Sequence, residues 1–299
     1  MVDLNSLSTE QTNPRSTSFS SMSINDAVTL MNEEDLNVVK AVENAKPEIV
    51  RVIEKSSATL EKGGRIIYVG AGTSGRLGVL DAVECPPTFG VDYNVVVGLI
   101  AGGDSAFVKA KEGAEDSAEE GEQDLMAHDL TEKDMVIGVA ASGRTPYVIG
   151  ALEYAQSLGC PTGAVVCSAD SAISEVCADT VTLLCGPEVL TGSTRLKSGT
   201  ATKMVLNMIS TISMRQVGKI YKNYMVDVKM TNEKLVARGN RIVRAITGCS
   251  ADEATKALKE AGNHVKTAIV MIEHHCNAEE AKALLGTAQG HIDRIPAGC

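Results

Sequence analysis

The chain has 299 residues and a formal charge of −10, with 44% hydrophobic residues and no Trp. That acidity argues against a nucleic-acid or anionic-membrane partner, and no apolar run approaches the length of a membrane span. Eight scattered cysteines without a C-x-x-C pair read as small buried hydrophobes in a reducing compartment, and no basic-then-apolar leader opens the chain, so a cytoplasmic protein with a substantial core is expected.

Residues 3–23 are rich in Ser, Thr and Asn with little apolar periodicity, which predicts an extended or flexible arm. Val38, Val42, Ala45 and Ile49 then share a helical face that continues through Ile53 and Leu60, until Gly63-Gly64 ends it. Short runs rich in Val and Ile follow, alternating with helical stretches: Ile66–Val69, Val95–Ile100, Met135–Ala141, Ala164–Cys167 and Val181–Leu184. Such runs suit strands buried on both faces, so the class is α/β, with a parallel sheet covered by helices. Ligands of these sheets bind at the carboxyl ends of the strands. The first and third runs end in Gly70–Gly75 and Ser142-Gly-Arg-Thr145, so both loops open on the same edge. Beyond Cys185, the segment Gly186–Lys197 leads into a long apolar helix, roughly Thr194 to Met214, with Leu206, Ile209 and Ile212 as core. From about Thr247 the tail reads as a bundle of short helices; Ser250-x-x-Glu253 matches a capping box and Asn277-x-x-Glu280 marks another helix start. The adjacent His274, His275 and Cys276 read as a surface helix, because sequence neighbours rarely converge on one ion, and no metal is expected.

The segment Gly70-Ala-Gly-Thr-Ser-Gly-Arg76 follows a buried strand and opens a helix, the arrangement of a phosphate cradle. Glycines admit an anion close to the backbone, and helix-start N–H groups point at it. The same residues satisfy a dinucleotide fingerprint, but the acid it needs is missing, since the second strand ends in Ala101-Gly-Gly-Asp104, too far along. Thr73 and Ser74 bring hydroxyls, as do Ser142 and Thr145 of the second loop, and two Ser/Thr loops suit a single phosphate monoester. Glu84 stands near the end of a short helix, before Cys85 and a Pro-Pro stop, where the helix dipole disfavours a negative charge. Glu112, Glu115, Glu119 and Glu122 recur at helical spacing, and spacing alone does not choose among them. Lys197 and Lys234 could each hold a substrate carboxylate or be surface lysines. No histidine lies in a motif loop and no Ser sits in a Gly-x-Ser-x-Gly elbow, which disfavours a Ser–His–Asp hydrolase.

Read together, the segments form an ordered set: Thr9-Glu-Gln-Thr-Asn13, Gly70–Leu77, Glu84-Cys-Pro-Pro87, Gly113-Ala-Glu-Asp-Ser117, Ala140–Tyr147, Gly186-Pro-Glu188, Thr191-Gly-Ser193, Met225-Val-Asp-Val228, Thr231-Asn-Glu-Lys234 and Lys266–Met271. In that order, over nearly the whole length, they resemble the N-acetylmuramic acid 6-phosphate etherases, of the sugar-isomerase (SIS) fold and related to glucokinase regulatory protein. The resemblance implies a five-stranded parallel sheet between helices, with an arm and helix over residues 1–55, the sugar-phosphate domain over 56–219 and a small helical region over 220–299. It also implies a homodimer with active sites near the subunit interface, acting on a small-molecule sugar phosphate. The implied reaction removes D-lactate from N-acetylmuramic acid 6-phosphate, in amino-sugar and peptidoglycan recycling, to leave N-acetylglucosamine 6-phosphate. The two glutamates that the family assigns to catalysis fall on Glu84 and Glu115. Thr73, Ser74, Ser142, Gly143 and Thr145 would hold the phosphate, and Lys197 or Lys234 the lactyl carboxylate. Many proteins of the fold carry a hydroxyl two residues before the Ser-Gly pair, where this chain has Ala140, so backbone amides take a larger share. Two carboxylates suffice for the chemistry, without metal or redox cofactor. The competing expectations are a non-catalytic sugar-phosphate sensor and a sugar-phosphate isomerase of the same fold.

Overall fold

In a computed structural model, which describes residues 8–109, 111–230 and 232–296, the five apolar runs are five strands of one sheet. Residues 3–7 of the arm, Thr231 and Cys299 lie outside the described residues. The chain divides into two compact units, Met1–Val83 with Asn94–Ser210, and Glu84–Tyr93 with Thr211–Cys299. In order, the elements up to the end of the long helix are α1 (Ile24–Asn44), α2 (Lys46–Glu61), β1 (Ile66–Gly70), α3 (Gly72–Phe89), β2 (Val96–Ile100), α4 (Ser105–Val108), α5 (Ala118–Ala127), β3 (Met135–Ala140), α6 (Pro146–Ser157), β4 (Thr162–Val166), α7 (Ala172–Val176), β5 (Thr180–Thr182) and α8 (Lys197–Gln216).

All strand pairings are parallel, in the order β2-β1-β3-β4-β5. Ile67, Val69, Val136 and Val166 are fully buried, as are Val148 and Leu152 of α6. Each such side chain contributes roughly 1.5–3 kcal/mol relative to exposure. β1 and β3 are neighbours, with Gly70 paired to Val139. The chain leaves β1 towards β2 on one side and β3 towards β4 on the other, so their loops part at the carboxyl edge and leave a crevice.

The apolar face that runs from Val38 to Leu60 is carried by two helices, not one. Pro47 lacks an N–H and crowds the preceding residue, and the chain breaks at Ala45 between α1 and α2. At the end of α3, Pro86 and Pro87 do not stop the helix, which runs on to Phe89. They occupy its last turn, where only the carbonyls of Ala82 and Val83 lose their i+4 donors. Asp81 of α3 is buried and accepts from Tyr68 of β1 at 3.0 Å, and from Asn207 and Ser210 of α8 at 2.7 and 3.0 Å. Burial pushes its carboxyl up, against those hydrogen bonds. The described part of the arm is not loose: residues 8–21 coil into three short 3-10 turns, and Asn13 is buried. Burial also pushes the thiols of Cys160 and Cys167 up to about 11 and that of Cys185 to about 12, which keeps them protonated and unreactive.

The second unit holds a short antiparallel pair, β6 (Ile220–Tyr221) and β7 (Tyr224–Met225), and four helices: α9 (Glu233–Thr247), α10 (Ala251–Glu260), α11 (Val265–Glu273) and α12 (Ala278–Thr287). Ile242, Val243, Leu258, Ile269, Val270 and Leu285 form its core. Ser250 with Glu253 and Asn277 with Glu280 both close full capping boxes. His274, His275 and Cys276 fall in the turn after α11 rather than on a helix face, with His275 at φ +52°. Among the described residues, no helix is long and apolar enough to cross a membrane.

Asp227 anchors this unit. Its carboxylate receives Lys266 at 2.7 Å and Lys219 at 3.2 Å, while His264 stands 3.4 Å away. Burial pushes the carboxyl up, but His264, Lys266 and Lys219 outweigh it and hold it at about 2, below the ordinary 3.8. A depressed folded-state pKa stabilises the fold above the unfolded value and loses that contribution as pH falls through the folded one. The expected result is that Asp227→Asn is less stable than the wild type at pH 6, by on the order of 2 kcal/mol. Urea titrations should show that gap narrowing as pH drops from about 4 towards 2.

Candidate active site

The first wall of the site is the turn from β1 into α3. A Cβ on Gly75 would stand 2.5 Å from the Gly70 carbonyl oxygen, so only glycine lets the helix start this close to the strand end. The first N–H groups of α3 have no intrahelical acceptor and point out of that turn, next to the Thr73 and Ser74 side chains. The second wall is the turn from β3 into α6. Gly143 has φ +67°, and a Cβ there would meet Ser171 at 2.3 Å. Thr145 is the N-cap of α6, but its side chain makes no capping bond. Its hydroxyl is therefore not consumed by the helix it precedes.

These walls enclose a cavity of about 390 Å³, lined by Thr73, Ser74, Ser142 and Thr145. The third side is the segment between α4 and α5. Gly113 at φ +79° turns the chain, Ala114 is buried, and Glu115 follows on a 3-10 turn that faces the cavity. Glu115 thus precedes α5 instead of sharing one helix with Glu119 and Glu122, as the spacing of the four glutamates suggests. Glu112 lines the same space, whereas Glu119 and Glu122 on α5 do not. Arg76 of α3 donates to the carbonyls of Phe107 at 2.8 Å and Ala106 at 2.7 Å, which ties the α4 segment to the phosphate turn.

The remaining predicted residues are placed elsewhere. Glu84 is exposed on α3, ten residues beyond Ser74, and is not among the lining residues. Lys234 is exposed on α9. Lys197 is only 2% exposed, and its ammonium donates to Glu34 at 2.6 Å. Glu34 also accepts from Asn13 at 2.8 Å and Arg15 at 3.0 Å, and these contacts hold its carboxyl low against the upward push of burial. Glu188, fully buried, accepts from the backbone N–H groups of Lys197 and Ser198 at 3.0 and 2.9 Å, so the Gly-Pro-Glu segment serves to cap α8.

Among the lining residues not expected as site residues are Thr9, Glu10, Arg76, Lys111 and Thr194. Arg76 closes the Gly70–Arg76 segment, and that position was its one sequence signal. Thr9 and Glu10 stand in a segment whose composition suggests a loose arm.

Residues 48–156 match the family model of the glucokinase regulatory protein N-terminal SIS domain, and 106–212 that of the SIS domain. Residues 222–262 match the C-terminal lid domain of glucokinase regulatory protein. The curated N-acetylmuramic acid 6-phosphate etherase of Francisella tularensis subsp. holarctica (strain LVS) is 56% identical over 282 residues, covering 94% of this chain and 96% of that one. The etherase of Bacillus mycoides (strain KBAB4) is 54% identical over 291 residues, covering 97% and 99%. Among solved structures, a phosphoheptose isomerase from Francisella tularensis is similar with a TM-score of 0.49 at 17% identity, over 65% of this chain and 100% of that chain.

Proposed function

The chain belongs to the N-acetylmuramic acid 6-phosphate etherase family, and from that membership we propose how its own residues divide the work. The reaction eliminates D-lactate from the lactyl ether of N-acetylmuramic acid 6-phosphate and hydrates the product to N-acetylglucosamine 6-phosphate. The observation that carries the assignment is the meeting of two hydroxyl-bearing turns with Glu115 around one cavity.

An ether is hard to hydrolyse directly because alkoxide leaves poorly. In the open-chain sugar, C2–H lies beside the C1 aldehyde and is acidic, and the lactyl oxygen on C3 is beta to the resulting carbanion. Ser74, Ser142 and Thr145 hold the phosphate, with Thr73 beside them and the free N–H groups of α3 beneath; the Gly143 N–H is donated to the Ala140 carbonyl at 3.0 Å and shapes the turn instead. Glu115 takes the C2 proton. Glu84 protonates the leaving lactyl oxygen and then activates the water that adds at C3. Each placed acid or base contributes around a hundred- to ten-thousand-fold. Glu84 comes from a second copy of the chain in a homodimer, which accounts for its exposure on α3 and its absence from the lining.

Lys234 takes the lactyl carboxylate, because the other lysine considered, Lys197, is committed to Glu34. Lys234→Ala should raise KM for the muramic acid phosphate roughly tenfold, the worth of a hydrogen bond to a charged group, and leave affinity for N-acetylglucosamine 6-phosphate unchanged. An equal loss for both ligands would remove the lysine from this role. The reaction itself is tested by incubation with N-acetylmuramic acid 6-phosphate and enzymatic detection of D-lactate. One lactate per substrate is expected. Exchange of the C2 hydrogen without lactate would mark an isomerase, and binding without either would mark a sensor.

A further inference from the structure

We propose that the second unit carries an anion site of its own, a basic recess that takes the phosphate group of a small phosphorylated molecule. The recess has a volume of about 370 Å³ and lies wholly within that unit. Arg215 from the last turn of α8, Lys222 from the turn between β6 and β7, and Arg294 from the 3-10 turn Ile292–Arg294 line it. The one carboxylate in the lining, Asp293, is 70% exposed and belongs to the rim. Three cations to one acid run against the chain's charge of −10. None of these residues lines the cavity at the sheet edge.

Among the described residues, none of the three cations has an ion pair. The Arg215 side chain makes no hydrogen bond, Lys222 stands 5.3 Å from the centre of the Tyr221 ring, and the Arg294 guanidinium donates only to the Gln289 side chain at 3.3 Å. Their remaining donors are free for a ligand. His291 adds a nearly buried edge to the recess: its Nε2 lies 2.9 Å from the Gln216 carbonyl, which can only accept, so Nε2 carries the hydrogen. Its Nδ1 has Asp293 no nearer than 3.9 Å, makes no hydrogen bond and is not sealed from solvent. The end of α8 does not oppose an anion either. A helix C-terminus ordinarily presents free carbonyls with partial negative charge. Here the carbonyls of Ser213, Met214 and Arg215 accept from the N–H groups of Val217, Lys219 and Gly218, and that of Gln216 accepts from His291.

Shape and charge select the ligand. Guanidinium forks match the oxygens of a phosphate group, and an ammonium adds a point charge beside them. A concave site with three cations suits one small phosphate-bearing molecule, whereas a nucleic acid or an anionic membrane needs an extended basic face. The phosphate comes either as the free ion or as the phosphomonoester of a sugar, and the chemistry of recognition is the same for both.

The test follows the histidine imidazole signals by NMR while inorganic phosphate is titrated at an ionic strength held constant with chloride. The His291 signal is identified by its loss in His291→Gln. A saturable shift of that signal is expected, with a Kd at least about tenfold weaker in the double variant Arg215→Ala/Arg294→Ala, the worth of a hydrogen bond to a charged group. Both arginines are exposed, so the thermal midpoint should hold, and KM and kcat for lactate release should stay within about twofold of the wild type. Lys222→Ala, also at an exposed position, is the second variant and should weaken the same Kd roughly threefold or more. A parallel titration with N-acetylglucosamine 6-phosphate identifies the source. Tighter binding than inorganic phosphate assigns the recess to a phosphorylated sugar, and equal or weaker binding assigns it to the free ion. No shift of His291 with either compound, a shift that chloride reproduces, or a Kd unchanged in these variants overturns the proposal. The readout is local to the recess, so it stands whatever becomes of the etherase mechanism.

Discussion

In heavy water, Glu115→Gln should lose both deuterium incorporation at C2 and lactate release, whereas Glu84→Gln should lose lactate release and keep incorporation at C2. The two steps use different protons. Removal of C2–H needs only a base at C2 and yields a carbanion that the neighbouring aldehyde stabilises. Departure of the lactyl oxygen needs an acid on the other carbon. With Glu115 intact, the C2 proton still leaves and returns as deuterium, while an unprotonated leaving group stalls the elimination. The expected loss of lactate release is about a hundred- to ten-thousand-fold for either variant, the usual range for a placed acid or base. Mass analysis of recovered substrate reads incorporation, and a lactate assay reads elimination. If Glu84→Gln abolished incorporation while Glu115→Gln retained it, the two roles would be exchanged.

The parts of this molecule legible in its sequence are those that local chemistry decides. Ile66–Val69 and Met135–Ala141 are apolar throughout because strands covered on both faces need no alternation, and they are found as β1 and β3. The two turns that follow them announce themselves through Gly, Ser and Thr. What escaped depends on partners distant in the chain. Lys197 looks like any lysine at a helix start until Glu34, 163 residues away, is brought to it. Glu115 is one of four similarly spaced glutamates that the resemblance, not the spacing, singles out, and in the fold the turn at Gly113 with buried Ala114 sets it and Glu112 apart from Glu119 and Glu122. Thr9 and Glu10 lie in a segment of loop-like composition, and nothing local predicts that Asn13 will be clamped between Pro187 and Glu34. Pro47 is a local signal, and it splits the predicted helical face into α1 and α2.

Mixing Glu84→Gln with Glu115→Gln protein, each nearly inactive alone, should restore about a quarter of wild-type lactate release. The expectation follows from counting sites in the two-fold dimer proposed above, whose cavity would take Glu115 from one chain and Glu84 from the other. After exchange of subunits, about half the dimers are mixed, and in each of these one of the two sites receives both native glutamates. Half of half is the quarter. If instead both glutamates of a site belonged to one chain, every site in a mixed dimer would lack one of them and no activity would return. The geometry of α3 favours the first case. Ten residues of helix separate Glu84 from Ser74, a rise of about 15 Å, and a phosphate seated on the first N–H groups of the helix directs its sugar away from the rest of that helix. A second copy can present its exposed Glu84 to the open side of the cavity, where C3 and its ether oxygen would lie. A control tags the two variants differently, so that the mixed dimer is isolated by both tags. That species should then carry about half of the wild-type activity, from one working site in two.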